Sequence, residues 1–161
     1  MKQAHDVYAE HNPAYCAYVA GAFVTAHAEV HPAGPDLAIV YLAVPIALSG
    51  DLAATFDGTN KNTGLLEWLE RTPQMSVGLA DRVNAALEIV GEAVRYGCFT
   101  DVLRLSMEGR LTPGSKKFKQ SPLSDLDPHS IGAIRRARRL GTWFATAGST
   151  RNIFGILGLT V

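Results

Sequence analysis

Cysteine is scarce: Cys16 and Cys98 are the only two in 161 residues, and they lie far apart, so no disulfide framework can be read from them. An excess of one charge is also missing. Fifteen Lys+Arg balance fifteen Asp+Glu, and a formal net charge of zero indicates no bias toward any charged partner. No apolar run is long enough for a bilayer. The longest, Leu37–Leu48, falls short of the roughly 20 residues a spanning helix needs. The opening MKQAHDVYAEHNP carries Asp6 and Glu10 where a signal peptide needs an apolar stretch. Together these absences set the expectation of a protein in the reducing cytoplasm with no membrane contact.

Catalytic motifs are equally thin. There is no G-x-S-x-G to present a nucleophilic serine. There is no G-x-x-x-x-G-K-[ST] to cradle phosphates, and Gly114-Ser115-Lys116 is only a short echo of one. His27 and His31 stand four apart, the spacing of two metal ligands on one helix face. A zincin would follow the first His with Glu, and here that position is Ala28. His27-Ala28-Glu29 has the H-x-E order of zinc deaminases without the P-C-x-x-C that completes their site. With no third ligand in the pattern, two histidines near a helix C-terminus are the simpler reading. No catalytic residue, metal or cofactor is therefore assigned, and the expectation is a protein that is not an enzyme.

What the sequence does contain is enough apolar residue for one core: 47% hydrophobic against 19% charged, in a length suited to one domain over residues 1–161. Asn12-Pro13 reads as N-cap and first position of a small-residue helix ending before Pro32. The apolar segment 37–48 belongs at the centre of the core, with helix favoured. Thr63 opens a short helix that Pro73 closes. A long helix from about Gln74 to Cys98 carries Leu79, Val83, Leu87, Val90 and Val94 as one buried stripe. DVLRLSMEGRLTP reads as a β-hairpin turning at Glu108-Gly109. Asp127-Pro128 starts a further helix, and Ser149 or Thr150 caps a last one. This predicts an α+β, mostly helical single domain with one β-hairpin. A helical unit followed by a β wing is loosely similar to winged-helix proteins.

The balanced charge is unevenly placed. Residues 1–103 hold 5 basic and 12 acidic side chains, a net of −7, and residues 104–161 hold 10 and 3, a net of +7. Arg135, Arg136, Arg138 and Arg139 crowd one helical turn. At 100° per residue, Ile131, Ile134, Ala137, Leu140, Gly141 and Phe144 form its apolar face. Arg135, Arg136 and Arg139 fall on the other side, with Trp143 one turn beyond. Lys116, Lys117 and Lys119 extend the patch, and Arg151 completes the candidate contact residues. Three readings fit such a cluster: a solvated face paired with the acidic half of the chain, an interface for another protein, or a phosphate-binding surface.

The ordered segments NPAYCAYVAGAF, LAIVYLAVPIAL, TGLLEWLERTP, LADRVNAALEIVGEAVRYGCF and RRARRLGTWFATAGSTRNIFGILGLTV carry a resemblance. Their order is similar to the middle component of bacterial three-component ABC-ATPase systems, which include the Lamassu-type anti-phage and anti-plasmid systems. It runs from about Asn12 to Val161. The loop 57–62 and the segment 114–128 stand outside it, and no functional residue is carried onto them. The resemblance implies a non-enzymatic adaptor that bridges an SMC-like, coiled-coil ABC ATPase to an effector, commonly a nuclease. Such an adaptor helps hold the effector inactive, and double-stranded DNA is met through the complex. The alternative is a stand-alone DNA-binding protein using the basic hairpin-to-helix region.

Overall fold

The computed structural model describes residues 12–118 and 126–160. Helix α1, Pro13–Val30, is the axis of the fold. Its N-terminus is fixed by Asn12, whose side-chain oxygen accepts from the amides of Ala14 at 3.0 Å and Tyr15 at 3.4 Å, and Pro13 needs no partner at the first position. Cys16, Ala17, Ala20 and Ala22 bury around it, so neighbouring helices close in from several sides.

Helix α2, Leu37–Leu48, is buried over most of its length and holds Pro45 within it. A 3₁₀ segment, Gly50–Phe56, then leads to helix α3, Leu65–Arg71. Helix α4, Leu79–Phe99, is the longest, and strands β1, Leu103–Leu105, and β2, Leu111–Pro113, follow it as an antiparallel pair. Helix α5, Pro128–Thr146, returns across α1, and a short helix α6, Thr150–Ile156, closes the described chain. The architecture is a mostly helical α+β fold with one two-stranded sheet.

The α1–α5 packing depends on a missing side chain. A Cβ at Gly141 would stand 2.4 Å from the carbonyl oxygen of Phe23 and 2.9 Å from the Ala26 methyl. Only glycine lets the two backbones approach that closely. At one end of α5, Phe56, Trp68 and Trp143 form an aromatic cluster with centroids 4.8 to 5.8 Å apart. Each indole N–H has a partner: Trp68 donates to the carbonyl of Thr55 and Trp143 to that of Asn60, both at 2.9 Å.

Several boundaries differ from those read from sequence. Residues Pro73–Ser76 form a separate 3₁₀ turn, and Gly78 is left-handed at φ +70°, so α4 starts at Leu79 rather than near Gln74. Leu87 is 47% exposed and leaves the predicted stripe, whereas Leu79, Val90 and Val94 are buried and Val83 packs against the core. Gly64, not Thr63, precedes α3, and Thr63 instead accepts from the amide of Asn60. The hairpin is not a free wing. The amide of Leu111 donates to the carbonyl of Pro35 and that of Leu37 to the carbonyl of Gly109, both at 2.9 Å, and Leu103 and Leu111 are both buried. It is stitched onto the α1–α2 connection through one buried residue of each strand, while Arg104, Leu105 and the turn residues 106–108 stay exposed. The apolar end docks on the core, with Ile153 and Leu157 buried and Leu159 packed against it, whereas Val161 lies outside the described residues.

No single helix among the described residues is long and apolar enough to cross a membrane. The bent pair Leu37–Leu48 and Gly50–Phe56, turned by 92°, passes only by length and composition.

Candidate functional site

The exposed turn of α5 faces a groove of about 800 Å³ between α1, α5, the segment after β2, and the loop at Asn60-Lys61. Arg135, Arg138 and Arg139 line one wall, and Lys116 and Lys117 come from the segment after β2. Tyr18, Thr25 and Glu29 of α1 lie between them. Five of the nine residues picked out from sequence thus converge on one concavity.

The lysines reach it because the chain after β2 is held down. The amide of Gly114 donates to Val102 and that of Lys116 to Asp101, both at 2.9 Å. Asp101 takes a left-handed φ of 58°, and its carboxylate accepts from Ser115 Oγ and from Arg104 Nε at 3.2 Å. The Ser115 hydrogen bond, then the Arg104 bond, hold its pKa below the ordinary carboxylate range. Phe118 then crosses α1, its ring 4.6 Å from that of Tyr18. Gly21 makes that crossing possible, since a Cβ there would lie 2.6 Å from the Phe118 ring.

Arg139 is part of the wall in a different sense. Its guanidinium donates to Thr59 Oγ1 at 2.9 Å and to the carbonyl of Phe56 at 3.3 Å, so it fastens the loop 57–62. The same loop brings Lys61 to the groove, a cation absent from the sequence candidates because nothing local in DGTNKN reveals where the loop is tied. Glu29 is the one acidic side chain lining the groove among the described residues, against six Lys and Arg.

Other candidates fall elsewhere. Trp143 is fully buried, stacked on Phe56 and bonded to Asn60, so it is not a surface contact. Arg136 is also interior, at 8% exposed. Its Nε donates to the carbonyl of Ala47 at 2.9 Å, in the last turn of α2, where a cation offsets the negative end of the helix. Burial lowers its pKa from the ordinary arginine value, and one terminal nitrogen has no partner. The physical reason is geometric. Arg136 and Trp143 lie about 20° apart around the α5 axis, beside the apolar face, and the 3₁₀ segment and α2 close over that side. Arg151 is exposed on α6 and does not line the groove. Lys119 lies outside the described residues.

No ion pair among the described residues joins the cluster to the chain's acidic half. Among the described residues, the four ion pairs are Arg71–Glu67, Arg82–Asp51, Arg104–Asp101 and Arg110–Asp36. Arg135, Arg138, Lys116 and Lys117 appear in none of them. Cations left without carboxylates around a concave surface can hold an anion or an acidic segment.

His27 and His31 have ring centroids 6.0 Å apart. His27 is buried with Nδ1 unpartnered, and its pKa falls to about 4, first through burial and then through the charge of His31 and Arg110. No group of three potential metal ligands is present among the described residues.

A family model described as ABC-three component (ABC-3C) system Middle Component 3 matches residues 2–161. The chain belongs to that family. No curated protein and no solved structure matches it. As an ABC-3C middle component, it is one part of a system with further components. In that setting the groove is the first place on its described surface to seek a contact, since Arg135, Arg138, Lys116 and Lys117 form no ion pair among the described residues.

Proposed function

We propose that this middle component is a non-enzymatic adaptor in a defence complex of the Lamassu type, bridging an SMC-like ABC ATPase to an effector nuclease and helping to regulate it. Membership of the ABC-3C family supports the setting. The observation that carries the adaptor role is the groove, where Lys61, Lys116, Lys117, Arg135 and Arg138 gather without a carboxylate in ion-pair range among the described residues. A surface so arranged is left for another molecule to neutralise. Opposed charge in the two parts of the chain, −7 over 1–103 and +7 over 104–161, suits a connector that meets different surfaces at its two ends.

Co-expression with an SMC-like ABC ATPase and an effector of the same system tests this reading. The expected result is a complex that survives gel filtration and loses the effector when the middle component is omitted. A chain that elutes as a monomer, with ATPase and effector associating without it, overturns the proposal. The same cations favour a second reading, direct DNA binding. It requires duplex affinity in the isolated chain that falls steeply with salt.

A further inference from the structure

The basic groove has an apolar neighbour. A second concavity of about 630 Å³ lies on the other side of Phe118, between the start of α1, the end of α4 and the segment after β2. Tyr15, Tyr18, Tyr96, Phe99 and Phe118 contribute five aromatic rings to it. Phe99 is 91% exposed at the end of α4, and Tyr96, one turn before, is 40% exposed. Exposed rings rimmed by cations have the composition of a protein-binding hot spot. The two concavities are continuous, because Tyr18, Val102, Lys116, Lys117 and Phe118 line both.

We propose that they form one bipartite dock for a polypeptide segment of a partner protein, in which a large apolar anchor adjoins a run of Asp and Glu. The anchor fills the aromatic side and the carboxylates lie along Arg135, Arg138, Lys116 and Lys117. Charge complementarity selects the acidic half of this segment, since six cations face one Glu29. The separation of the two surfaces selects polypeptide over nucleic acid. A nucleotide strand repeats phosphate and base at every residue, so its reader interleaves cations with stacking rings. Here Lys61, Arg135, Arg138 and Arg139 line the basic concavity alone and Tyr15, Tyr96 and Phe99 the aromatic one alone, with Lys116, Lys117, Tyr18 and Phe118 shared at the boundary, a polarised order that a protein segment with an acidic stretch beside an apolar one can match. On the aromatic side the hydroxyl of Tyr15 is already engaged, donating to the carbonyl of Ser130 at 3.0 Å.

This inference rests on the adaptor reading, and the test separates the two. A photo-crosslinking amino acid is placed at Phe99 and, in a second variant, at Arg138, and each is irradiated in the complex reconstituted with the ATPase and effector. Both positions are expected to capture one partner segment in which a large apolar residue lies within about ten positions of several Asp or Glu. Phe99→Ser and the pair Arg135→Glu with Arg138→Glu are each expected to weaken that partner's binding about tenfold or more, with the melting temperature unchanged. The charge-reversed variant also loses most of the salt dependence, whereas Phe99→Ser keeps it. Cross-links to nucleic acid or to a second copy of the chain overturn the proposal. So does an assembled complex in which neither position captures anything, and in that case the adaptor reading stands. If no complex assembles, both readings fall together.

Discussion

The ring of Phe56 lies parallel to the indole of Trp143, with centroids 5.8 Å apart and planes within 4°. The contact ties the 3₁₀ segment to α5 and places the loop after it, because the Trp143 N–H reaches the carbonyl of Asn60 at 2.9 Å. Trp143 is therefore a core residue whose removal opens a large cavity. Trp143→Ala is expected to destabilise the fold by about 3–5 kcal/mol. Trp143→Phe, which keeps most of the packing and loses the hydrogen bond, costs less, with the bond itself near 1 kcal/mol. Chemical denaturation of the two variants checks the order. Equal stability of Trp143→Ala and wild type contradicts the assignment.

Neighbouring arginines on α5 have opposite roles, and substitution separates them. Arg135 and Arg138 are exposed and unpaired, so Arg135→Glu and Arg138→Glu are expected to stay within about 0.5 kcal/mol of wild type. Arg136 is interior and offsets the C-terminal end of α2 through Ala47. Arg136→Glu buries a carboxylate at the negative end of that helix and is expected to cost more than about 3 kcal/mol. Thermal melts of the three single variants decide this. A similar melting temperature for Arg135→Glu and Arg136→Glu shows that Arg136 is not held as described.

How far this was legible in the sequence depends on which residues set each feature. Local signals were readable: Asn12-Pro13 at the start of α1, Asp127-Pro128 at the start of α5, Ser149 before α6, and the turn at Glu108-Gly109. These are properties of a few consecutive residues. The basic character of the groove was also readable, because Arg135 and Arg138 are close in sequence. Which arginine faces water was not. A helical projection sees one buried face, whereas α5 is enclosed by α1, α2 and the 3₁₀ segment, and so buries Arg136 and Trp143 as well. Lys61 and Phe118 reach the groove through contacts with Arg139, Trp143 and Gly21 that span long stretches of chain. Such non-local ties leave no periodic trace.

Burial of His27 makes stability depend on pH. In the fold its pKa is about 4, against the ordinary 6.5, so the buried ring is neutral at pH 7. Between these values the unfolded chain takes up a proton that the folded chain refuses. Stability from this residue is thus complete above pH 6.5 and is lost as pH falls toward 4, by up to about 3 kcal/mol. His31 and Arg110 strengthen the effect and Asp36 opposes it. Because carboxylates titrate at the lower end of the same range, the test is the difference between wild type and His27→Leu, measured by denaturation from pH 7 to pH 4. The gap is expected to move in favour of the variant as pH falls. Parallel curves would falsify the burial of a neutral His27.

The same substitution at two glycines is expected to act in opposite directions. At Gly141 a new Cβ meets the Phe23 carbonyl at 2.4 Å and the Ala26 methyl at 2.9 Å, so α1 and α5 must separate to admit it. The resulting strain, of about 1–3 kcal/mol, opposes the gain in helix propensity of about 1 kcal/mol. Backbone atoms cannot yield as a flexible side chain does, and the net effect of Gly141→Ala is expected to be destabilising. At Gly155, inside α6, an added Cβ meets nothing within 4 Å. Only the propensity remains there, and Gly155→Ala is expected to stabilise by about 0.5–1 kcal/mol. Denaturation of the two variants under one set of conditions tests the pair together. If Gly141→Ala stabilises as much as Gly155→Ala, the close approach of α1 and α5 is wrong.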